Sequence, residues 1–338
     1  MSNSPQSTET VSIPAKRTPT ALRILEAWAM PLLTVLVVVF FSLNPASSTA
    51  FPTINNFNVI FGSIAVVALV AVAALFPLIS GYFDFSLGAV AVMSQVVCAG
   101  LMAKAGLPLW LAIIIPILIG GCVGVVNGFF VTRLGMSPFV TTLGMSMLIS
   151  GLMIWYTDGQ TIISGIDRAL PEFGSTRWLG LPAPIFVTFL IAALAWYFFT
   201  HTPLGRSLYA IGSSASAAKL VGVPVGKNVW MSFIIAGTIA GCAGILQLAR
   251  QGSATASDGG ILLFSALAAV FLGATAIRPG FFNVVGTIIG AMFVSISVSG
   301  LTLSGASGWA SNVFNGVALL AAVGLSTYLG RRNRAGGS

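Results

Sequence analysis

Residues 27–84 read AWAMPLLTVLVVVFFSLNPASSTAFPTINNFNVIFGSIAVVALVAVAALFPLISGYFD, and between Glu26 and Asp84 there is no charged side chain. The hydrocarbon core of a bilayer is about 30 Å thick and takes about 20 helical residues to cross. The stretch is therefore too long for one crossing and too apolar for water. The polar, proline-bearing interval from Asn44-Pro45 to Pro52 divides it into spans at about 28–44 and 58–80. The first run is too long for the apolar core of a signal peptide and has no small-residue cleavage site, so it reads as a retained helix.

The same alternation continues along the chain. Further spans are expected at about 84–103, 108–131, 138–156, 183–200, 228–249, 261–277, 281–303 and 309–329. Composition agrees: 57% of the 338 residues are hydrophobic and 7% are charged, with a mean hydropathy of +0.99. Soluble domains carry about 25% charged residues, so a soluble enzyme is excluded, as is a disordered or fibrous chain. The expected fold class is an all-α polytopic membrane protein with about ten transmembrane helices. Residues 1–26 form a cytoplasmic tail, 27–330 the transmembrane domain with a cytoplasmic loop at 201–227, and 331–338 a basic cytoplasmic tail.

Ten spans put both termini on one side, and the basic residues say which. With the termini cytoplasmic, the inner set is Lys16, Arg17, Arg23, Arg133, Arg206, Lys219, Lys227, Arg278, Arg331, Arg332 and Arg334, against Lys104, Arg168, Arg177 and Arg250 outside. This excess follows the positive-inside rule. It also accounts for the net charge of +8 without a nucleic-acid partner, because the cations lie at span ends and not in one aromatic-interleaved patch. Cys98, Cys122 and Cys242 lie within apolar runs without metal-ligand spacing, so neither a disulfide nor a metal site is expected.

Small residues four apart mark helix-packing faces: Gly120, Gly124 and Gly128; Gly237 and Gly241; Gly286 and Gly290. Packing within one bundle is the favoured reading, with a crossing between protomers as the alternative. Catalytic signals are absent. His201 is the single histidine, and Gly222-Val223-Pro224-Val225-Gly226-Lys227-Asn228 lacks the glycine spacing and the Ser or Thr of a phosphate-binding loop. Asp84 is the one acidic residue set against a span, a position that marks functional-site candidates. In Ser80-Gly81-Tyr82-Phe83-Asp84-Phe85-Ser86, either Asp84 or Ser86 is expected to cap the following helix. Within 201–227, Ala217-Ala218-Lys219-Leu220-Val221 is expected to form a short helix ended by Gly222 and Pro224.

Four segments, in order, resemble the ribose-type ABC importer permeases. Asp84-Phe85-Ser86-Leu87-Gly88 is similar to that family's Asp-Leu-Ser-Val-Gly element. Val126-Asn127-Gly128 with Pro138-Phe139-Val140-Thr141-Thr142-Leu143-Gly144 resembles its Asn-Gly and Pro-Phe-Ile-x-Thr-Leu-Gly elements. Gly205-Arg206-Ser207-Leu208-Tyr209-Ala210-Ile211-Gly212, with Ala217 to Val223, resembles its coupling-helix loop, and Ala268 to Thr275 its Ala-Val-x-Leu-Gly-Gly-Thr element. The chain departs from the family where Tyr82-Phe83 replaces Gly-Ile, and where Arg278-Pro279-Gly280-Phe281-Phe282-Asn283 replaces a glycine-rich turn.

The resemblance implies a multi-pass permease subunit of the cell (inner) membrane, non-catalytic and without a bound cofactor. ATP and Mg²⁺ would sit on a cytoplasmic ABC ATPase, an extracytoplasmic binding protein would deliver the solute, and a second permease copy or paralogue would complete a dimer. The cargo implied is a monosaccharide, with polyols, nucleosides and furanosyl signals as alternatives. Gly205, Arg206, Ala217, Ala218, Lys219, Leu220 and Gly222 are then assigned to ATPase contact. Asp84, Ser86, Asn127, Thr141 and Thr142 are assigned to the translocation pathway, and Asp158, Asp167, Arg168, Glu172, Arg177, Arg250 and Asp258 to binding-protein docking. The competing reading is an ion-coupled secondary transporter, which calls for several intramembrane ionisable residues where only Asp84 qualifies.

Overall fold

The computed structural model describes residues 20–257 and 259–335, with the side chains of 20–27 and 326–335 outside that description. Asp258, one of the expected docking residues, therefore lies outside the described residues, as do Lys16 and Arg17 of the N-terminal tail. The helices are α1 (Thr20–Leu43), α2 (Ile54–Ile79), α3 (Leu87–Ala103), α4 (Leu109–Thr132), α5 (Pro138–Thr157), α6 (Ala169–Ser175), α7 (Ala183–His201), α8 (Pro203–Ser213), α9 (Ala215–Leu220), α10 (Val225–Gln251), α11 (Gly259–Gly273), α12 (Val284–Leu303) and α13 (Gly308–Ala335). The only sheet among the described residues is a ribbon of β1 (Arg177–Trp178) and β2 (Leu181–Pro182). Leu179 and Gly180, both at positive φ, close its turn.

Each expected span has its own helix. Among the described residues, seven helices are long and apolar enough to cross a membrane: α2, α4, α5, α7, α10, α12 and the Gly308–Leu325 part of α13. The apolar part of α1, α3 and α11 are shorter. With 17 and 15 residues, α3 and α11 rise about 25 and 22 Å. α11 stops at Gly273, short of the expected 277, because Thr275 Oγ1 donates to Leu272 O (2.7 Å) and the chain turns through Ile277 and Gly280, both at positive φ. Asn283 Oδ1 then accepts from the Gly286 amide (2.6 Å) and starts α12. α1 begins inside the expected tail, at Thr20.

α2 is apolar on every side, and 78% of its membrane-length window is buried, as expected for a helix at the centre of a bundle. It packs against α7, α10, α11 and α12. On the periphery α4, α5 and α13 turn residues such as Leu118, Leu148 and Leu320 outward, an apolar face suited to lipid.

The most extensive contact joins α4 to α10. A Cβ on Gly120 would lie 2.6 Å from the Gly237 carbonyl oxygen, and one on Gly124 would meet the Phe233 and Ile234 backbone. At Gly128 the space is taken by Trp230, whose Nε1 donates to Val125 O (2.9 Å). The same economy joins α11 to α12, where Gly273 faces Gly286 and Gly290 faces Ala269. The glycine faces legible in the sequence are thus packing surfaces within one chain. Gly120→Leu is expected to destabilise the detergent-solubilised protein by about 1–3 kcal/mol, the usual cost of overpacking. Gly151→Leu, at a position with nothing within 4 Å, is the control; equal melting shifts for the two variants would contradict the assignment.

Candidate functional site

α2 and α3 do not join as one helix. Pro77 stands near the end of α2, Gly81 takes a φ of +87°, and residues 80–86 connect α2 to α3 as irregular backbone. Such backbone is tolerated within a membrane protein only where its polar groups are satisfied, and here Asp84 within the segment and Thr142 of α5 each accept one of its amides. Asp84, 4% exposed, accepts through Oδ1 from both the Ser86 amide (2.9 Å) and Ser86 Oγ (2.6 Å). Asn127 of α4 donates Nδ2 to the same Ser86 Oγ (2.9 Å). Thr142 of α5 accepts from the Phe85 amide (2.9 Å) and donates to Pro138 O (2.8 Å).

Four of the five expected pathway residues therefore meet. Thr141, though buried, has an Oγ1 without a partner, as does Asn127 Oδ1. Of the two residues expected to cap α3, Ser86 holds the cap position but makes no side-chain cap bond. Asp84 supplies the acceptor instead, two residues ahead of the amide it receives, as in an Asx turn.

Aromatic rings enclose this segment. Phe83 stacks on Phe85 (centroids 5.9 Å) and on Phe271 of α11 (6.2 Å). Phe85 meets Phe139 edge-on (5.3 Å), and Phe271 meets Phe282 (5.3 Å). The two places where the sequence departs from the ribose-type pattern, Tyr82-Phe83 and the 278–283 turn, are thus joined in space through Phe271. The cluster escapes a reading by spacing because its members come from four separate segments.

The loop at 201–227 folds as α8 and α9. Thr202 accepts from the Gly205 amide (3.0 Å) with Pro203 as the first helical residue of α8, a start signal visible in the sequence. Ser214 accepts from the Ala217 amide (3.2 Å) to cap α9, and Gly222, at φ +84°, follows its end. α8 is held against the bundle: Gly212 leaves no room for a Cβ against Ile79 O at the end of α2. Tyr209 Oη donates to Phe282 O (2.8 Å). Burial pushes the Tyr209 hydroxyl above its ordinary pKa, opposed by the positive charge of Arg278.

Of the residues assigned to ATPase contact, Gly205 and Ala218 are buried, Ala218 among Val131, Ile211, Val229 and Phe233. Arg206, Ala217, Lys219, Leu220 and Gly222 are exposed. Leu220 is 88% and Val221 79% exposed. Lys219, Lys227 and Arg133 line a cavity of about 620 Å³ beside α9.

At the opposite end of α10, Asp158, Asp167, Arg168, Glu172 and Arg177 are exposed on the segment that carries α6 and the ribbon. Asp158 adopts a left-handed conformation at the end of α5, and Asp167 Oδ1 accepts from the Ala169 amide (2.9 Å). An Ile162–Ala254 bridge ties this segment to the loop after α10. Arg250 stands apart from this exposed group. It is part-buried in the last turn of α10, and its Nη1 donates to Ser63 Oγ of α2 (3.1 Å).

A family model described as "Branched-chain amino acid transport system / permease component" matches residues 56–323. The chain is 31% identical to the ribose import permease protein RbsC of Escherichia coli (strain K12), over 94% of this chain and 97% of that protein. It is 29% identical to the D-allose transport system permease protein AlsC of the same organism, over 89% and 91%. Identity to the autoinducer 2 import system permease protein LsrC of Photorhabdus laumondii is 32%, over 80% of each. No solved structure matches the chain. The ordered motifs, the all-helical apolar bundle and this near full-length similarity lead to one conclusion: the chain belongs to the family of branched-chain amino acid transport system permease components, as a ribose-type ABC importer permease.

Proposed function

We propose that this chain is the membrane half of an ATP-driven importer for a monosaccharide or related small polar solute, working by alternating access. The observation that carries the reading is the pairing of an exposed apolar tip, Leu220-Val221 on α9, with a base locked into the bundle through Tyr209 and Gly212. An exposed apolar side chain pair beside Lys219 fits a protein partner better than water. The names of the relatives, import permeases for ribose, allose and autoinducer 2, support the same solute class. In this reading all ten apolar helices lie in the cell (inner) membrane with α9 and both termini on the cytoplasmic side, where a partner ATPase holds ATP and Mg²⁺. A second permease copy or paralogue completes the transporter, and an extracytoplasmic binding protein docks on Asp158, Asp167, Arg168, Glu172 and Arg177.

The chain's own part is then to pass movement from α9 inward. Force on α9 reaches α8, and from there the end of α2 through Gly212 and the 278–283 turn through Tyr209. The first runs directly into the 80–86 segment and the second reaches it through Phe271, and that irregular backbone can change course without breaking a helix. Asp84, Ser86, Asn127 and Thr142 hold that segment in one position, because each buried polar group there has few alternative partners.

Leu220→Glu is expected to abolish co-purification of the ATPase and solute uptake, with membrane insertion and melting temperature unchanged because the side chain is exposed. Ala218→Glu, placed in a closed apolar seat, should instead lower stability itself. Normal uptake by the Leu220 variant would sink the coupling assignment. Thr142→Val strands the Phe85 amide without its acceptor and is expected to cost about 1–3 kcal/mol and reduce uptake, whereas Thr142→Ser retains both. Thermal melts and uptake in vesicles containing the whole transporter check the pair.

A further inference from the structure

We infer that the cavity at the Arg250 end of α10 is a binding site for a neutral polyhydroxylated solute, held within a single chain; this rests on the importer reading above. The cavity has a volume of about 730 Å³ and lies between α2, α10, α11 and α12, within the roughly 300–1,000 Å³ range of small-molecule pockets. Its polar groups converge from four helices, Ser265 of α11 among them. Arg250 and Gln247 come from α10, Asn56 from α2, and Ser295 and Ser299 from α12. Ser299 Oγ donates to Asn56 Oδ1 (2.8 Å), and Arg250 Nη2 reaches Gln247 Oε1 at 3.4 Å.

Two features point to a ligand. Arg250 is a part-buried cation with no carboxylate in ion-pair range among the described residues. Its Nε, like Ser295 Oγ, is buried without a hydrogen-bond partner. Unpartnered buried polar groups cost free energy, which a ligand supplying their partners would offset.

The chemistry of the lining selects the solute class. A free amino acid would bring an ammonium group to a cavity with one cation and no acidic side chain among its described lining residues. Sugar hydroxyls both donate and accept, which matches the amides of Asn56 and Gln247, the serine hydroxyls and the guanidinium donors. The apolar walls, Val66, Leu262 and Val294 among them, suit the face of a sugar ring. Specificity for the solute is thereby written partly into the permease.

The test uses the full chain in membrane vesicles, with Cys98, Cys122 and Cys242 replaced by alanine and Val59→Cys, on the cavity wall, as a reporter. A water-soluble maleimide labels the reporter while D-ribose, D-allose, D-xylose or leucine is titrated in. At least one sugar is expected to slow labelling and leucine is not. Arg250→Gln and Ser295→Ala should each raise the sugar concentration giving half-protection, Arg250→Gln by about tenfold or more. Arg250→Lys, which keeps the charge, should fall between Arg250→Gln and the unsubstituted reporter chain. Labelling that no sugar slows, protection by leucine equal to that by the sugars, or protection indifferent to Arg250→Gln would each overturn the inference. The assay needs no ATPase, so a failure of the importer reading would show separately, as a chain protected by sugar that never co-purifies with an ATPase.

Discussion

The backbone-to-backbone seam between α4 and α10 is the constraint on which the rest of the bundle depends. Lipid offers apolar side chains no incentive to leave it, so helices in a membrane associate through close packing and polar contacts. Gly120, Gly124 and Gly237 let two backbones touch directly. That contact fixes the rotation of α10, and with it the directions of Phe233 and Val229 toward α9 and of Gln247 and Arg250 toward α2. From a position beside that seam α4 delivers Asn127 to Ser86. Both functional ends of the molecule are thus set from one seam.

Polar side chains do the remaining positioning in pairs that bridge distant segments. Gln95 of α3 donates to Gln251 Oε1 and Ser253 O (2.8 Å each), tying α3 to the end of α10. Thr188 of α7 donates to Ala65 O of α2 (2.9 Å), and Asn315 of α13 to Ser265 Oγ of α11 (2.8 Å). In an apolar interior such bonds specify register more than they add stability, since few other partners are within reach.

The helices and their order were legible because charge is excluded from lipid whatever the tertiary fold, so Glu26 to Asp84 had to be membrane material. The glycine faces and α9 were legible for local reasons: spacing in one case, a serine cap and Gly222 in the other. The shortness of α11 was hidden because Ala274-Thr275-Ala276 has no strong helix breaker, and Thr275 ends the helix through its own hydroxyl. α6 and the small ribbon were hidden in a polar loop without periodicity. Arg250 read as a loop charge because it stands next to polar residues in sequence; only the rotation of α10 sends it inward. Likewise nothing local in Phe83 announces Phe271. The partners of Asp84 lie in the sequence within the expected motifs, yet their meeting depends on how three helices are turned.

α10 runs unbroken for 27 residues, about 40 Å, from the foot of α9 to the wall of the Arg250 cavity, and it is fused along its length to α4. α11, by contrast, is short and has non-helical chain at both ends. It is nevertheless seated on α12 as closely as α10 is on α4, so the body divides into two stiff pairs held backbone to backbone by glycine. Any rearrangement that opens one end of the cavity therefore has an economical route, in which α4 with α10 and α11 with α12 each keep their mutual geometry and the two pairs shift past one another.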